Sequence, residues 1–196
     1  MHFMAKADAI IIDLRSNQGG DPTMVQLISS YFFDERTHLN SFQMRDTSEI
    51  DQKWTLPHVP GPKLTDTPLF ILTGWYTYSA AEEFAYNMQA LERATLIGST
   101  TGGAAHPTHN YRINDNFAVS IPFGRAVNPV TGTNWEGVGV EPDIDIGDAG
   151  YLNGRTLAHL EALKVIDATL EDGWYRESIR SQISILQSQI RALEDD

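Results

Sequence analysis

The sequence predicts an α/β fold: a mostly parallel sheet with flanking helices, extended at the C-terminus by a further helix. Three observations carry this. Ala7 to Leu14 centres on Ile10-Ile11-Ile12, a run apolar on both faces, as in strands buried within parallel sheets. Leu69 to Leu72 and Ala94 to Gly98 are two more short apolar runs that read as buried strands. Between them lie stretches of helical periodicity, in which Ala80, Ala81, Phe84, Ala85, Met88 and Leu91 recur at spacings of three and four.

In order along the chain, the first strand runs into Arg15-Ser16-Asn17-Gln18-Gly19-Gly20-Asp21-Pro22. Its two glycines permit close backbone approach, and Asp21 and Pro22 suit an N-cap and first helical residue. Thr23 to Phe33 continues as an amphipathic helix. Strand, glycine turn and helix also build phosphate-binding loops, but neither G-x-G-x-x-G nor Walker spacing is present, so an ordinary βα turn is an equal reading. His38 to Arg45 alternates as a solvent-edged strand, and Pro57, Pro60, Pro62 and Pro68 punctuate a loop. A second glycine-rich loop, Ser99 to Pro107, follows the third apolar run. Tyr111 to Ile113 and Phe117 to Pro122 then pair around a turn at Asn114-Asp115-Asn116. Gly124 to Asp143 reads as a loop carrying specific side chains.

Composition narrows the function. The chain has 196 residues, enough for one domain with a sizeable core, and a net charge of −12, which disfavours nucleic acid and anionic membrane surfaces as partners. Without cysteine there are no disulfides or thiolate metal sites, and the six histidines show no H-E-x-x-H spacing, so no metal or other cofactor is expected. No apolar run reaches the length of a membrane span, and the residues before the first strand do not read as a signal peptide; the compartment stays open.

Ser79 stands where a strand delivers the chain to a helix N-terminus. A hydroxyl there feels the positive end of the helix dipole, and the neighbouring free N–H groups can hold an oxyanion. Ser79 and Glu82 also form S-x-x-E, the signature of a capping box in which the serine only satisfies orphan N–H groups.

Four segments, DLRSNQGG, TYSAAEEFA, IGSTTGGAAHP and FGRAVNP…WEGVGVEPD, occur in the order found in the tail-specific, or carboxy-terminal processing, serine peptidases. The chain resembles the branch containing tricorn peptidase and interphotoreceptor retinoid-binding protein modules, over roughly residues 7–146. The resemblance implies a crotonase-like core and makes Ser79 the nucleophile. It places the oxyanion hole on the N–H of Ala80 and of a glycine in the first turn, Gly20 ahead of Gly19. It matches Glu136 to a glutamate that helps hold the base. The lysine of Ser-Lys relatives would fall on Ala104, so a Ser-Lys mechanism is disfavoured. The tricorn-like branch takes its histidine from a segment N-terminal to the first motif. Because this sequence starts six residues before its first strand, the expectation is a core lacking that segment and weak on its own. His106, near the vacant lysine position, is the substitute candidate for the base.

The expected organisation is a peptidase core over residues 1–171 and a helix over residues 172–196. Ile179, Ile183, Leu186, Ile190 and Leu193 form a short heptad seam that could mediate homo-oligomers or lie on its own domain. The leading function is a serine peptidase that cleaves peptide or unfolded protein substrates through an acyl-enzyme. A catalytically silent ligand- or peptide-binding module and an acyl-CoA-handling enzyme of the same fold are the competitors.

Overall fold

A computed structural model of the chain describes residues 1–45, 47–147 and 151–194. Strands β1 (Ile10–Asp13), β4 (Leu69–Thr73), β5 (Thr95–Gly98) and β9 (Ile144–Asp145) form a parallel sheet in the order β1-β4-β5-β9. A second, antiparallel sheet orders β3 (Ile50–Trp54), β2 (His38–Met44) and β8 (Gly124–Val127). A separate ribbon pairs β6 (Thr108–Arg112) with β7 (Ala118–Pro122). The helices are α1 (Pro22–Ser29), α2 (Ala80–Ala90), α3 (Tyr151–Thr169) and α4 (Trp174–Glu194).

The sequence of β4 explains the layering. All five of its residues are buried. Leu69 and Ile71 join a core with Val25 of α1 and Phe84, Ala85 and Met88 of α2. Phe70 and Leu72 point the other way and pack with Ile97 against Ala158 and Ala162 of α3. A strand covered on both faces must be apolar at consecutive positions, which is why this run lacks alternation. The α/β expectation with its parallel sheet therefore holds.

The four parallel strands end on one side, where the turn after β1, the turn before α2 and the glycine loop after β5 meet. In open α/β sheets this carboxyl edge is where ligands bind.

Four elements differ from the sequence reading. β2 is central in its sheet, flanked by β3 and β8, with Leu39, Asn40, Ser41 and Phe42 buried. The polar segment Ile50–Trp54 conceals a strand, and that strand removes the solvent edge expected for β2. α1 stops at Ser29, where Ser30 caps it and its hydroxyl donates to Gln26 O at 2.6 Å, leaving Tyr31 and Phe32 to pack as buried residues outside the helix. Gly124–Val127, read as loop, is the strand β8.

At the C-terminus α4 turns back beside α3. Asp167 of α3 accepts from Nε of both Arg176 and Arg180 at 3.0 Å. Ile179 is buried, and Ile183, Leu186 and Ile190 are partly covered within the chain. The side chain of Leu193 lies outside the described residues. Among the described residues no helix is long and apolar enough to cross a membrane.

Candidate active site

The turn between β4 and α2 is held before Ser79 is reached. Thr77 Oγ1 donates to Leu14 O at 2.8 Å and accepts from Gly74 N–H at 3.0 Å, and Tyr78 N–H donates to Asn17 O at 3.1 Å. These bonds tie the turn to the loop after β1. Ser79 then adopts φ 54°, ψ −123°, a region that side chains other than glycine rarely enter. Such a strained strand-to-helix turn costs about 1–3 kcal/mol and presents a hydroxyl at the head of a helix.

The glycine turn lies directly against this elbow. A Cβ on Gly19 would stand 2.8 Å from Ser79 Cβ and 2.9 Å from Ala80 N, so only glycine fits. Gly19 N–H is engaged by Asn17 Oδ1 at 2.9 Å. Gly20 N–H and Ala80 N–H have no partner among the described residues. Two free donors thus flank the serine on rigid elements, one on the turn after β1 and one on the first residue of α2. Gly20 and Ala80, with Ile12, Met24, Ile28 and Phe84, also border an apolar cavity of about 170 Å³.

Glu82, one turn into α2, organises the other side. Its carboxylate is fully buried and accepts four bonds: Ser79 N–H at 2.7 Å, Thr101 Oγ1–H at 2.5 Å, Gly103 N–H at 2.6 Å and Ala104 N–H at 2.9 Å. Thr101 Oγ1 in turn accepts from Val140 N–H at 2.7 Å. One carboxylate therefore joins the elbow, the second glycine loop and the chain after Trp135. The sequence shows Glu82 only as the acidic end of a capping box. Its distant partners lie about twenty residues on, and no local pattern signals them.

The base side is assembled differently. Glu136 Oε2 accepts Ala105 N–H at 2.7 Å and His106 N–H at 2.9 Å, while Oε1 lies 3.7 Å from His106 Nδ1. Trp135 Nε1–H donates to Ala104 O at 3.1 Å and fixes the same loop. Glu136 and His106 are thus neighbours, and both remain partly open to solvent. No hydrogen bond joins His106 to Ser79. Ala104 takes part through its backbone alone, its N–H donating to Glu82 and its carbonyl accepting from Trp135.

Behind the elbow sits a second buried carboxylate, Glu83, whose Oε1 accepts from Asn40 Nδ2 at 3.2 Å. Burial pushes its pKa up to about 7, against smaller opposing effects of the Asn40 bond and the Lys53 charge. Asn40 Oδ1 has no partner within the described protein, so a protonated Glu83 has an acceptor beside it. Among the described residues no cluster of His, Asp and Glu could hold a metal ion.

Residues 2–146 match the profile of Peptidase family S41. The chain is 29% identical over 123 residues to the carboxyl-terminal-processing protease of Synechocystis sp., covering 63% of this chain and 27% of that protein. It is 26% identical over 141 residues to the carboxy-terminal-processing protease of Bartonella bacilliformis, covering 71% of this chain and 31% of that protein. The chain thus spans about a third or less of the curated relatives it matches. Among solved structures, the photosystem II D1 C-terminal processing protease superposes with a TM-score of 0.56 at 23% identity, over 71% of this chain and 34% of that one. Mature CPAF superposes with a TM-score of 0.63 at 18% identity, over 74% and 40%. At these identities the structures speak for the fold alone.

Proposed function

Since the chain belongs to peptidase family S41, we propose that it is the catalytic core of a serine peptidase that cleaves polypeptide chains through an acyl-enzyme on Ser79. The observation that carries this reading is the strained elbow at Ser79 with the unpartnered N–H groups of Ala80 and Gly20 on either side. A bare helix cap requires neither the strain nor the second free donor.

In the proposed reaction Ser79 Oγ attacks the scissile carbonyl carbon and loses its proton to a base. The carbonyl oxygen, as it gains charge, is held by Ala80 N–H and Gly20 N–H. The C–N bond then breaks, the amine leaves with a proton, and water hydrolyses the ester that remains. Donors fixed before the reaction stabilise charge that develops only in the transition state, and each is worth about 3–4 kcal/mol. The apolar cavity beside Gly20 and Ala80 suits an aliphatic or aromatic side chain next to the scissile bond. His106, faced by Glu136, would serve as this chain's own base only by reaching Ser79, to which it has no hydrogen bond here. Residues 1–171 make up the core in this reading, and residues 172–196 the appended helix. Self-association through α4 has thinner support: Trp174 and Ile185 are exposed, but Ile179, Ile183, Leu186 and Ile190 turn inward.

An active-site fluorophosphonate tests the proposal, because it requires an activated serine and nothing of the substrate. The expected result is a single adduct mapped to Ser79 and absent from a folded Ser79→Ala variant. Equal labelling of that variant would overturn the assignment.

A further inference from the structure

The elbow is bordered by a second depression besides the apolar cavity. This groove of about 480 Å³ is lined chiefly by Trp75, Thr100, Gly102, Gly137, Val138 and Asp145. Its walls belong to the elbow itself. Trp75 lies four residues before Ser79, Gly102 N–H donates to Thr77 O at 3.0 Å, and the Tyr78 ring covers Gly102 so closely that an added Cβ would meet it at 2.6 Å. The apolar cavity is lined by Ala80 and this groove by Trp75, residues on the two sides of Ser79 in the sequence.

The two depressions differ in chemistry. In the groove, Trp75 leaves 65% of its surface exposed, and its ring and indole N–H have no partner among the described residues. Asp145, at the carboxyl end of β9, accepts Gly147 N–H on Oδ1 at 2.9 Å and has no partner on Oδ2. Among the described residues no lysine or arginine lines the groove, and the chain as a whole carries −12. An open aromatic face and an uncompensated carboxylate lining one groove, in a negative field, attract a cation: the ring offers its negative face and Asp145 an ion pair. An apolar side chain would bury against neither the carboxylate nor the threonine hydroxyls at a gain, and the cavity across the elbow already serves that chemistry.

We propose that the groove between Trp75 and Asp145 is a specificity subsite for a lysine or arginine side chain of the polypeptide substrate. It rests on the reading of Ser79 as nucleophile only in that the bound chain crosses the elbow. A partly exposed cation–π contact and an exposed ion pair together give a preference of about threefold to tenfold.

The test uses the full chain carrying Ser79→Ala and a set of fluorescein-labelled peptides in which lysine is exchanged for norleucine at each position in turn. Anisotropy titrations read the dissociation constants. At one position the lysine peptide should bind threefold to tenfold tighter, and the difference should shrink as salt is raised. Asp145→Asn, which keeps the Oδ1 acceptor for Gly147 N–H, should remove most of the preference, and Trp75→Leu should reduce it. No lysine preference at any position, no binding of any peptide, or a preference untouched by Asp145→Asn would overturn the proposal. Fluorophosphonate labelling of the unsubstituted chain, run in parallel, reports on the nucleophile separately. Missing label with an intact lysine preference would count against the peptidase reading and leave the subsite standing.

Discussion

The two halves of the candidate site are built to different standards. The nucleophile half joins Ser79, Gly20 and Ala80 through the turn bonds of Thr77 and Tyr78 and the close contact of Gly19, so its geometry is fixed from several directions. The base half holds its backbone equally well, through Glu82, Trp135 and Glu136, yet no hydrogen bond runs from His106 to Ser79. The difference teaches that loop order and catalytic linkage are separate properties. A carboxylate on the loop backbone secures where a residue sits without connecting its side chain to the nucleophile.

Glu82 is where this comparison is most easily broken, because it serves both halves. Glu82→Gln leaves one acceptor oxygen where two are needed and turns an NH₂ toward backbone donors. The expected loss is about 3–5 kcal/mol of folding stability, since buried charge-assisted bonds are removed without replacement. Labelling of Ser79 in the remaining folded protein should slow by about a hundredfold, because a donor or hydroxyl displaced by 1 Å carries such a cost. Denaturant unfolding and labelling rates measure the two effects separately. Unchanged labelling in a destabilised protein would show that Glu82 supports the fold alone.

Its neighbour Glu83 sharpens the contrast, being a carboxylate of the same helix turn with one bond in place of four. Its folded pKa, near 7, lies above its ordinary value of 4.5 because burial penalises the charged form. Between those two pH values the unfolded chain releases a proton that the folded chain keeps, so stability falls as pH rises through this window. The full shift corresponds to about 3 kcal/mol, most of it lost by pH 8. Glu83→Gln does not titrate and can keep the Asn40 bond. It should match the unsubstituted chain near pH 4.5 and exceed it by about 2–3 kcal/mol at pH 8. Urea midpoints at the two pH values decide, and parallel pH dependence in both proteins would mean that Glu83 is charged and paired when folded.

How much of this was legible in the sequence follows from the range of each contact. β1, β4 and β5 announce themselves because burial on both faces dictates every residue, as in Leu69-Phe70-Ile71-Leu72. The β6–β7 ribbon is readable around its turn at Asn114-Asp115-Asn116, a local signal, although β6 spans Thr108–Arg112 where the sequence suggests a strand from Tyr111 to Ile113. β3 is not, because Asp51, Gln52 and Lys53 are polar and the strand exists through pairing with β2. Missing β3 then places β2 at an edge. At the site, the turn glycines and Ser79 are visible as local sequence, and the strain at Ser79 fits its position between strand and helix. The work of Glu82 is invisible for the opposite reason: Thr101, Gly103 and Ala104 reach it only when β5 brings the second loop alongside the elbow.

The smallest effects are expected in the base half, and they complete the comparison. Glu136 divides its carboxylate between two backbone N–H groups and the His106 ring, and its side chain is 41% exposed. Glu136→Gln keeps one carbonyl oxygen for the loop and removes the charge, so stability should change by less than about 1 kcal/mol. His106→Ala deletes a ring that has no bond to Ser79, and labelling of Ser79 by a fluorophosphonate should change by less than about threefold in the 196-residue chain. A general base linked to its nucleophile contributes about 10²–10⁴ in rate, so the two outcomes are well separated. A change this small would leave Ser79 with its oxyanion donors and no base from His106. A fall of a hundredfold or more would instead join the two halves, with Glu136 orienting His106 toward Ser79 once substrate draws the loop in.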